Sequence, residues 1–150
     1  MRWSRDNSIV LSKVFIWIFA AFEILCAVIL PTMVGGIARR RGMDVAIGKQ
    51  YFMTSFYALM VPASAGLWYL YRLLLNIGRE EVFVESNVRC LRRISWVCYL
   101  AALISLLSTF YYLPFGVLAA AAGFMGLVLR VVKNVFAEAV NLKQENDFTI

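Results

Sequence analysis

The stretch VFIWIFAAFEILCAVILPTMV, residues 14–34, decides the fold class of this chain. A helix needs about 20 mostly apolar residues to cross roughly 30 Å of hydrocarbon, and this stretch has that length with a single charged residue, Glu23. It is too long for the apolar part of a secretory signal, which has about 7 to 15 residues. We therefore expect an uncleaved transmembrane helix, which Gly35 and Gly36 would end.

Three further apolar stretches follow the first. The predicted spans are residues 14–34, 51–75, 94–112 and 115–136. The whole chain is 62% hydrophobic with a mean hydropathy of +0.74, whereas soluble domains are roughly 45 to 50% apolar. Pro114 marks so short a reversal that the last two spans must form an antiparallel hairpin. The sequence predicts a single all-α domain, residues 1–150: an integral membrane bundle of four transmembrane helices.

Two polar segments complete the predicted fold. In the second loop, Val84, Val88 and Leu91 recur at helical spacing, with charged residues on another face. This pattern predicts an amphipathic cytoplasmic loop helix, which either lies at the membrane surface or leads into the third span. The sequence AEAVNLKQENDFTI, residues 137–150, predicts a cytoplasmic helical extension of the fourth span.

The positions of lysine and arginine predict the orientation. An even number of spans puts both termini on one side of the membrane. Of the 15 Lys and Arg residues, only those of the first loop fall on the other side, namely Arg39, Arg40, Arg41 and Lys49. The positive-inside rule then makes both termini cytoplasmic, although the arginine triplet of the first loop opposes this assignment.

Glu23 and Ser105 form the candidate intramembrane polar site. Glu23 lies roughly 15 Å along its helix from Lys13, close to the bilayer midplane. A lone carboxylate there is costly, so we expect it to face other helices and to be paired or protonated. Arg72 and Arg130 are candidate partners. Two interpretations remain open, a site for a proton, a cation or a cationic ligand, and a hydrogen-bonded acid that fixes helix register.

Small and polar residues predict how the last two spans pack. In the fourth span, Gly116, Ala119, Ala122 and their partners four residues on allow close helix approach. We favour a seam with the third span over a homo-oligomer interface, which remains the alternative. Ser105, Ser108 and Thr109 on the third span are expected to bond across helices.

Composition argues against several classes of function. The chain has no histidine, and Cys26, Cys90 and Cys98 form no CxxC pair, so we expect no enzyme, no metal site and no cofactor. The net charge is +6. The lysine and arginine residues lie at the ends of the predicted helices, where membrane topology and anionic lipid account for them. We therefore expect the lipid bilayer, and not nucleic acid, as the direct partner of these cations.

Residues of the second loop and of the tail carry a family resemblance. They are Phe83, Asn87, Leu91, Arg92, Ile94, Phe136, Ala139, Val140, Leu142, Lys143, Glu145, Asn146, Asp147, Thr149 and Ile150. With the tail pattern AVxLKxENDxTI, the second half of the chain resembles the family called domain of unknown function 2975. Phe148 departs mildly from that pattern, because the family more often has Leu there.

The resemblance implies a small four-helix protein of a bacterial inner membrane, with no activity to carry over. Members of the family often look like the membrane partner of a small helix-turn-helix regulator encoded nearby. The resemblance therefore implies a regulatory or interaction module. Its expected interaction surface is Phe83, Asn87, Arg92, Leu142, Glu145, Asn146, Asp147, Thr149 and Ile150. The tail could dock on a partner or on the chain's own basic loop. The alternative hypothesis is an oligomeric channel or small transporter with Glu23 in the pathway.

Overall fold

The chain folds into four α-helices. The computed structural model describes the backbone of residues 5–40, 45–79 and 82–148, and the side chains of residues 7–34, 47–79 and 82–146. Within these ranges there is no strand, and the helices are α1 (Arg5–Arg40), α2 (Val45–Gly78), α3 (Glu85–Ser108) and α4 (Pro114–Phe148). Each helix is long and apolar enough to cross a membrane. The prediction of an all-helical chain with four helices long and apolar enough to span a membrane is confirmed over these ranges.

The helices run past the predicted spans. α1 has 36 residues and α4 has 35, which at 1.5 Å per residue is about 54 and 52 Å, well beyond the roughly 30 Å of hydrocarbon. The expectation that Gly35 and Gly36 end the first helix is wrong, because α1 continues to Arg40. A glycine costs a helix only about 1 kcal/mol relative to alanine, so it does not by itself end one.

The amphipathic segment of the second loop forms the first turns of α3. This helix begins at Glu85 and runs without interruption to Ser108, so the described residues contain no separate surface helix before the third span. The tail likewise belongs to α4, which remains helical to Phe148. The side of the membrane on which these two segments lie stays a prediction.

The helices pack in chain order, each antiparallel to the next. In the described part of the chain, the backbone of α1 packs only against α2, α2 also against α3, and α3 also against α4. The arrangement is therefore a row of helices, and α1 does not close a bundle by packing on α4. A row leaves much of α1 uncovered by protein, and its exposed Trp17, Phe22 and Val28 are suited to contact with lipid.

Antiparallel packing gives the molecule two ends. At one end, which we call the base (residues 7–13, 72–93 and 130–146), Gly78 lies beside Ile9 and Lys13. At the other end, the apex (residues 47–55 and 105–116), the Ser108 hydroxyl donates to Ser55 Oγ at 2.7 Å and so joins α3 to α2. The second loop and the described C-terminal residues thus lie at the same end.

The small residues of α4 face α3. A Cβ added at Gly116 would lie 3.3 Å from Thr109 Cγ2, and one added at Gly126 would lie 2.9 Å from Tyr99 Cε1. The backbone carbonyl of Gly126 also accepts a hydrogen bond from the Ser95 hydroxyl at 2.8 Å. These contacts confirm the predicted seam between the third and fourth spans, since only glycine allows the helices to approach this closely.

Candidate functional site

Asn87 is the polar centre of the base. Its side chain is completely buried. The amide nitrogen donates to the backbone carbonyl of Val82 at 2.8 Å, and the amide oxygen accepts from Asn76 Nδ2 at 2.8 Å. A buried polar group costs free energy unless it is hydrogen-bonded, so this geometry fixes the last turn of α2, the second loop and the first turn of α3 to one another.

Apolar contacts reinforce the same junction. Leu73, Cys90 and Leu91 form a buried cluster, and the partly buried Phe136 of α4 packs against it. The ring centroids of Phe83 and Phe136 lie 5.9 Å apart, while Phe83 remains 46% exposed. The predicted interaction residues Phe83 and Asn87 therefore lie close together, one partly open at the surface and the other as internal support.

Arg92 lies on a different face of the base. With Ser95 and Trp96 of α3 and Arg130 and Lys133 of α4, it lines a cavity of about 230 Å³. The Arg130 guanidinium lies 5.8 Å from the centroid of the Trp96 ring. Arg92 is therefore grouped by the fold with basic residues of α4 that the sequence pattern did not associate with it.

Two other cations of the second loop are engaged locally. Arg89 donates to Glu85 at 2.9 Å across one turn of α3. Arg93 donates to the Tyr69 hydroxyl at 3.2 Å and lies 5.3 Å from the centroid of the same ring. The Glu85 and Arg89 pair is exposed, and pairs of that kind contribute little to stability.

The last part of α4 is exposed. Val140 is buried, with 5% of its surface exposed, whereas every residue from 141 to 146 is exposed. This places the predicted interaction residues Leu142, Glu145 and Asn146 on an exposed helical segment. The Asp147 side chain and residues Thr149 and Ile150, which the sequence also assigns to this surface, lie outside the described residues.

Glu23 has a serine partner. Its Oε1 accepts a hydrogen bond from the Ser64 hydroxyl of α2 at 2.9 Å. The candidate partners Arg72 and Arg130 are wrong, because neither forms an ion pair with Glu23 in the described structure. The row arrangement explains why Arg130 does not reach Glu23, since α2 and α3 stand between α1 and α4. A serine inside an apolar span was the available signal for Ser64, but it does not say which helix face meets α1.

Glu23 and Ser64 line a cleft of about 280 Å³ between α1 and α2. Aromatic side chains form much of its wall, with Trp17 and Tyr71 in an edge-to-face pair whose centroids lie 6.3 Å apart and Trp68 beside them. No lysine or arginine is among the residues that line the cleft. The carboxyl group thus has a hydrogen-bond donor but no cationic neighbour within the cleft.

A larger apolar groove connects the two intramembrane site residues. It has a volume of about 560 Å³, is lined by residues of all four helices, and includes both Glu23 and Ser105. Ser105 is fully buried, and its hydroxyl has no hydrogen-bond partner within the described structure. Ser105 therefore does not bond across helices as expected, and the Thr109 hydroxyl donates within its own helix, to the carbonyl of Ser105 at 3.0 Å.

Three features of the described structure can bind other molecules. Among the described residues, no group of three or more His, Cys, Asp or Glu side chains is placed to hold a metal ion. What the fold assembles instead is a braced base with an exposed helical end, a basic cavity, and a carboxyl group in an aromatic cleft.

Comparison with known proteins gives one match. The model of the family described as "Protein of unknown function (DUF2975)" matches residues 41–150. This range includes α2, which precedes the residues that carry the sequence resemblance. No curated protein and no solved structure shows a match to the chain.

Proposed function

Because the chain belongs to the DUF2975 family, whose description names no activity, we propose from its geometry that it is a non-enzymatic interaction module of a bacterial inner membrane. In this proposal the helices anchor the protein, and the base holds a soluble partner, such as a helix-turn-helix regulator, on the cytoplasmic side. The family resemblance implies that such a regulator is encoded near members of the family, and this supports the proposed kind of partner.

The observation that carries the proposal is the length and exposure of α4. The helix leaves the packed part of the protein after Val140 and continues to Phe148, about 12 Å further at 1.5 Å per residue. We call residues 141–148 the arm. A helix that only anchors a protein in lipid does not need this polar extension. A helix that presents a surface to a soluble protein needs exposed residues beyond the membrane.

The chemistry of the arm suits a basic, partly apolar partner surface. Leu142 is 58% exposed, and Glu145 and Asn146 follow it on the exposed helix. Phe83 adds a half-exposed ring at the base. Aromatic and aliphatic anchors supply binding energy at interfaces, and complementary charge supplies orientation. The buried bonds of Asn87 hold the base in place, which reduces the entropy cost of binding.

The distribution of cations supports a cytoplasmic base. The described cations of the base are Lys13, Arg72, Arg79, Arg89, Arg92, Arg93, Arg130, Lys133 and Lys143. The first loop, at the other end, carries Lys49 and, by sequence, Arg39, Arg40 and Arg41. The positive-inside rule favours the cytoplasm for the more basic end. The orientation is tested with two variants, each with a single cysteine, one at position 143 and one at position 49. A membrane-impermeant maleimide added to intact cells should label only the cysteine at position 49.

The proposed partner surface is tested by site-specific photo-crosslinking in native membranes. A photoreactive amino acid at Leu142 should yield a crosslink to a soluble polypeptide, and deletion of residues 144–150 should abolish co-purification of that polypeptide while membrane insertion is unchanged. The control position is Val117, which is 75% exposed on the apical part of the same helix and should crosslink no soluble protein. Crosslinks from Leu142 only to this chain, within one copy or between two copies, would contradict the proposal.

A second candidate function, an oligomeric channel or small transporter with Glu23 in the pathway, is favoured by the cleft between α1 and α2. An intramembrane carboxyl group needs a proton or a cation as its partner when no basic side chain is close, and none lines this cleft. The Ser64 hydroxyl would hold the carboxyl group, and the rings of Trp17 and Trp68 would offer faces to a passing cation.

This second candidate is tested by ion and proton flux in proteoliposomes. Glu23→Gln should abolish flux, and the matched variant Glu138→Gln, which removes an exposed acid of α4 outside the cleft, should leave flux unchanged. Equal flux for wild type and Glu23→Gln would remove the main support for a pathway.

A further inference from the structure

The basic cavity at the base differs in chemistry from the cleft and the groove described above. Its wall is formed by Arg92, Ser95, Trp96, Arg130 and Lys133. Three of these five side chains are cationic, and no acidic side chain is among them. The cleft and the groove described above are instead lined mainly by apolar residues.

Among the described side chains, the three cations Arg92, Arg130 and Lys133 have no ion-pair partner. The neighbouring Arg89, in contrast, is paired with Glu85. Like charges gathered in one small cavity repel one another, and the repulsion is least screened next to a hydrocarbon layer. This arrangement is stabilised when an anion from outside occupies the cavity.

The walls of the cavity are fixed in place. The Ser95 hydroxyl, which is almost fully buried, donates to the carbonyl of Gly126 at 2.8 Å and ties α3 to α4 immediately beside the cavity. The Arg130 guanidinium lies over the Trp96 ring, and such a cation–π contact restricts the position of a long side chain. An anion would therefore meet charges that are already partly ordered.

The side chains around the cavity indicate the class of anion. Apolar side chains lie on the apical side of the cavity on both helices: Leu100 and Leu103 follow Trp96 by four and seven residues on the same face of α3, and Leu127 precedes Arg130 by three on α4. All three leucines are about half exposed. Tryptophan and arginine of this kind lie at the boundary between headgroups and hydrocarbon.

We propose that this cavity binds the phosphate of an anionic phospholipid. The phosphate would lie among the guanidinium groups of Arg92 and Arg130 and the ammonium group of Lys133, and an acyl chain would follow the exposed leucines along the seam between α3 and α4. A free phosphate ion could use the charges but would gain nothing from the leucines, and for this reason the lipid is the better fit. Basic pockets between transmembrane helices suit such headgroups.

The test measures lipid binding to the purified full chain in mild detergent by native mass spectrometry, with phosphatidylglycerol as the anionic probe and phosphatidylcholine as the net-neutral probe. Arg130→Gln and Lys133→Gln should each weaken phosphatidylglycerol binding about fivefold, and the double variant about 25-fold, because each substitution removes one cation that lines the cavity and faces the bound headgroup. Phosphatidylcholine should bind several times more weakly than phosphatidylglycerol to the wild type.

The matched control is Arg72→Gln. Arg72 is an exposed arginine of α2 at the base, and it does not line the cavity. The Arg72→Gln variant loses the same charge as the cavity variants, but from a position outside the cavity. We therefore expect it to bind phosphatidylglycerol as the wild type does. Retained helix content and an unchanged elution volume show that each variant is folded.

Three results would overturn the proposal. Wild-type affinity in the double variant would show that the lipid binds elsewhere. An equal loss in Arg72→Gln would show a general effect of charge. Displacement of the lipid by inorganic phosphate at equal concentration would assign the cavity to a free anion. The variants leave Arg92 and the arm intact, so this test can fail while partner capture succeeds, or the reverse.

Discussion

Asn87 offers the sharpest test of how the base is held together. Asn87→Ala removes a donor to the Val82 carbonyl and an acceptor from Asn76, both at 2.8 Å in a fully buried position. A lost bond costs about 1 kcal/mol when its partner keeps another acceptor, whereas a buried partner left unpaired costs about 1–3 kcal/mol. Asn76 keeps a second acceptor, Ser86 Oγ at 3.3 Å, so the larger penalty applies to one partner only. We expect a total loss of about 2–4 kcal/mol.

Cys90 provides a local assay for this loss. It lies three residues along α3 from Asn87 and is 6% exposed, within the apolar cluster of the base. In a background in which Cys26 and Cys98 are replaced by alanine, a maleimide can react only at Cys90, and only when the base opens. Because about 1.4 kcal/mol is a factor of ten in an equilibrium constant, Asn87→Ala should accelerate labelling by roughly 30- to 700-fold.

The control for this assay is Asn141→Ala. Asn141 is exposed on α4, and exposed substitutions of this kind change stability by at most about 0.5 kcal/mol, so labelling should change by no more than roughly twofold. If Asn87→Ala labels Cys90 at a rate within threefold of its parent, the amide bonds do not hold the base closed and the reasoning fails.

Packing and polar contacts in the membrane give two further contrasts, each measured as the free energy of unfolding in mixed micelles of SDS and a mild detergent. Gly126→Ala should destabilise by about 1–3 kcal/mol, because the added methyl would lie 2.9 Å from Tyr99, whereas Gly66→Ala, with ordinary contacts, should be neutral or stabilise by up to about 1 kcal/mol. Ser108→Ala should cost about 0.6 kcal/mol through its lost hydrogen bond. Ser105→Ala should be neutral or stabilising, since that buried hydroxyl has no partner in the described structure. The reverse order within either pair would contradict the packing described.

The fold class followed from the sequence because the apolar composition and the length of a stretch are enough to identify a candidate membrane span. An apolar stretch that spans hydrocarbon must satisfy its backbone bonds internally, and a helix does this for any order of apolar residues. The short connection at Pro114 also determined the hairpin of α3 and α4, and the small residues of α4 predicted their seam. Helix ends were less predictable, as Gly35 and Gly36 show, since a single weak helix former changes the free energy by only about 1 kcal/mol.

The sequence also located several site residues without their surroundings. It singled out Glu23 as costly, but it did not supply Ser64 as the partner. It assigned Asn87 to an interaction surface, and only the structure shows that this side chain is fully buried. The exposure of Leu142 agrees with the tail pattern, because residues beyond the last packed turn face no other helix.

What the tertiary structure alone decided is which helix faces meet. The sequence determined four helices long and apolar enough to span a membrane, and their antiparallel succession. It did not determine that they stand in a row, with Arg130 two helices away from Glu23 but beside Arg92 and Trp96. The reason is physical: in lipid every helix face is apolar enough to meet lipid or protein, so hydrophobicity no longer identifies the inner face. The choice falls to close packing at Gly126 and to a few hydrogen bonds, which act only between residues that the fold has already brought together.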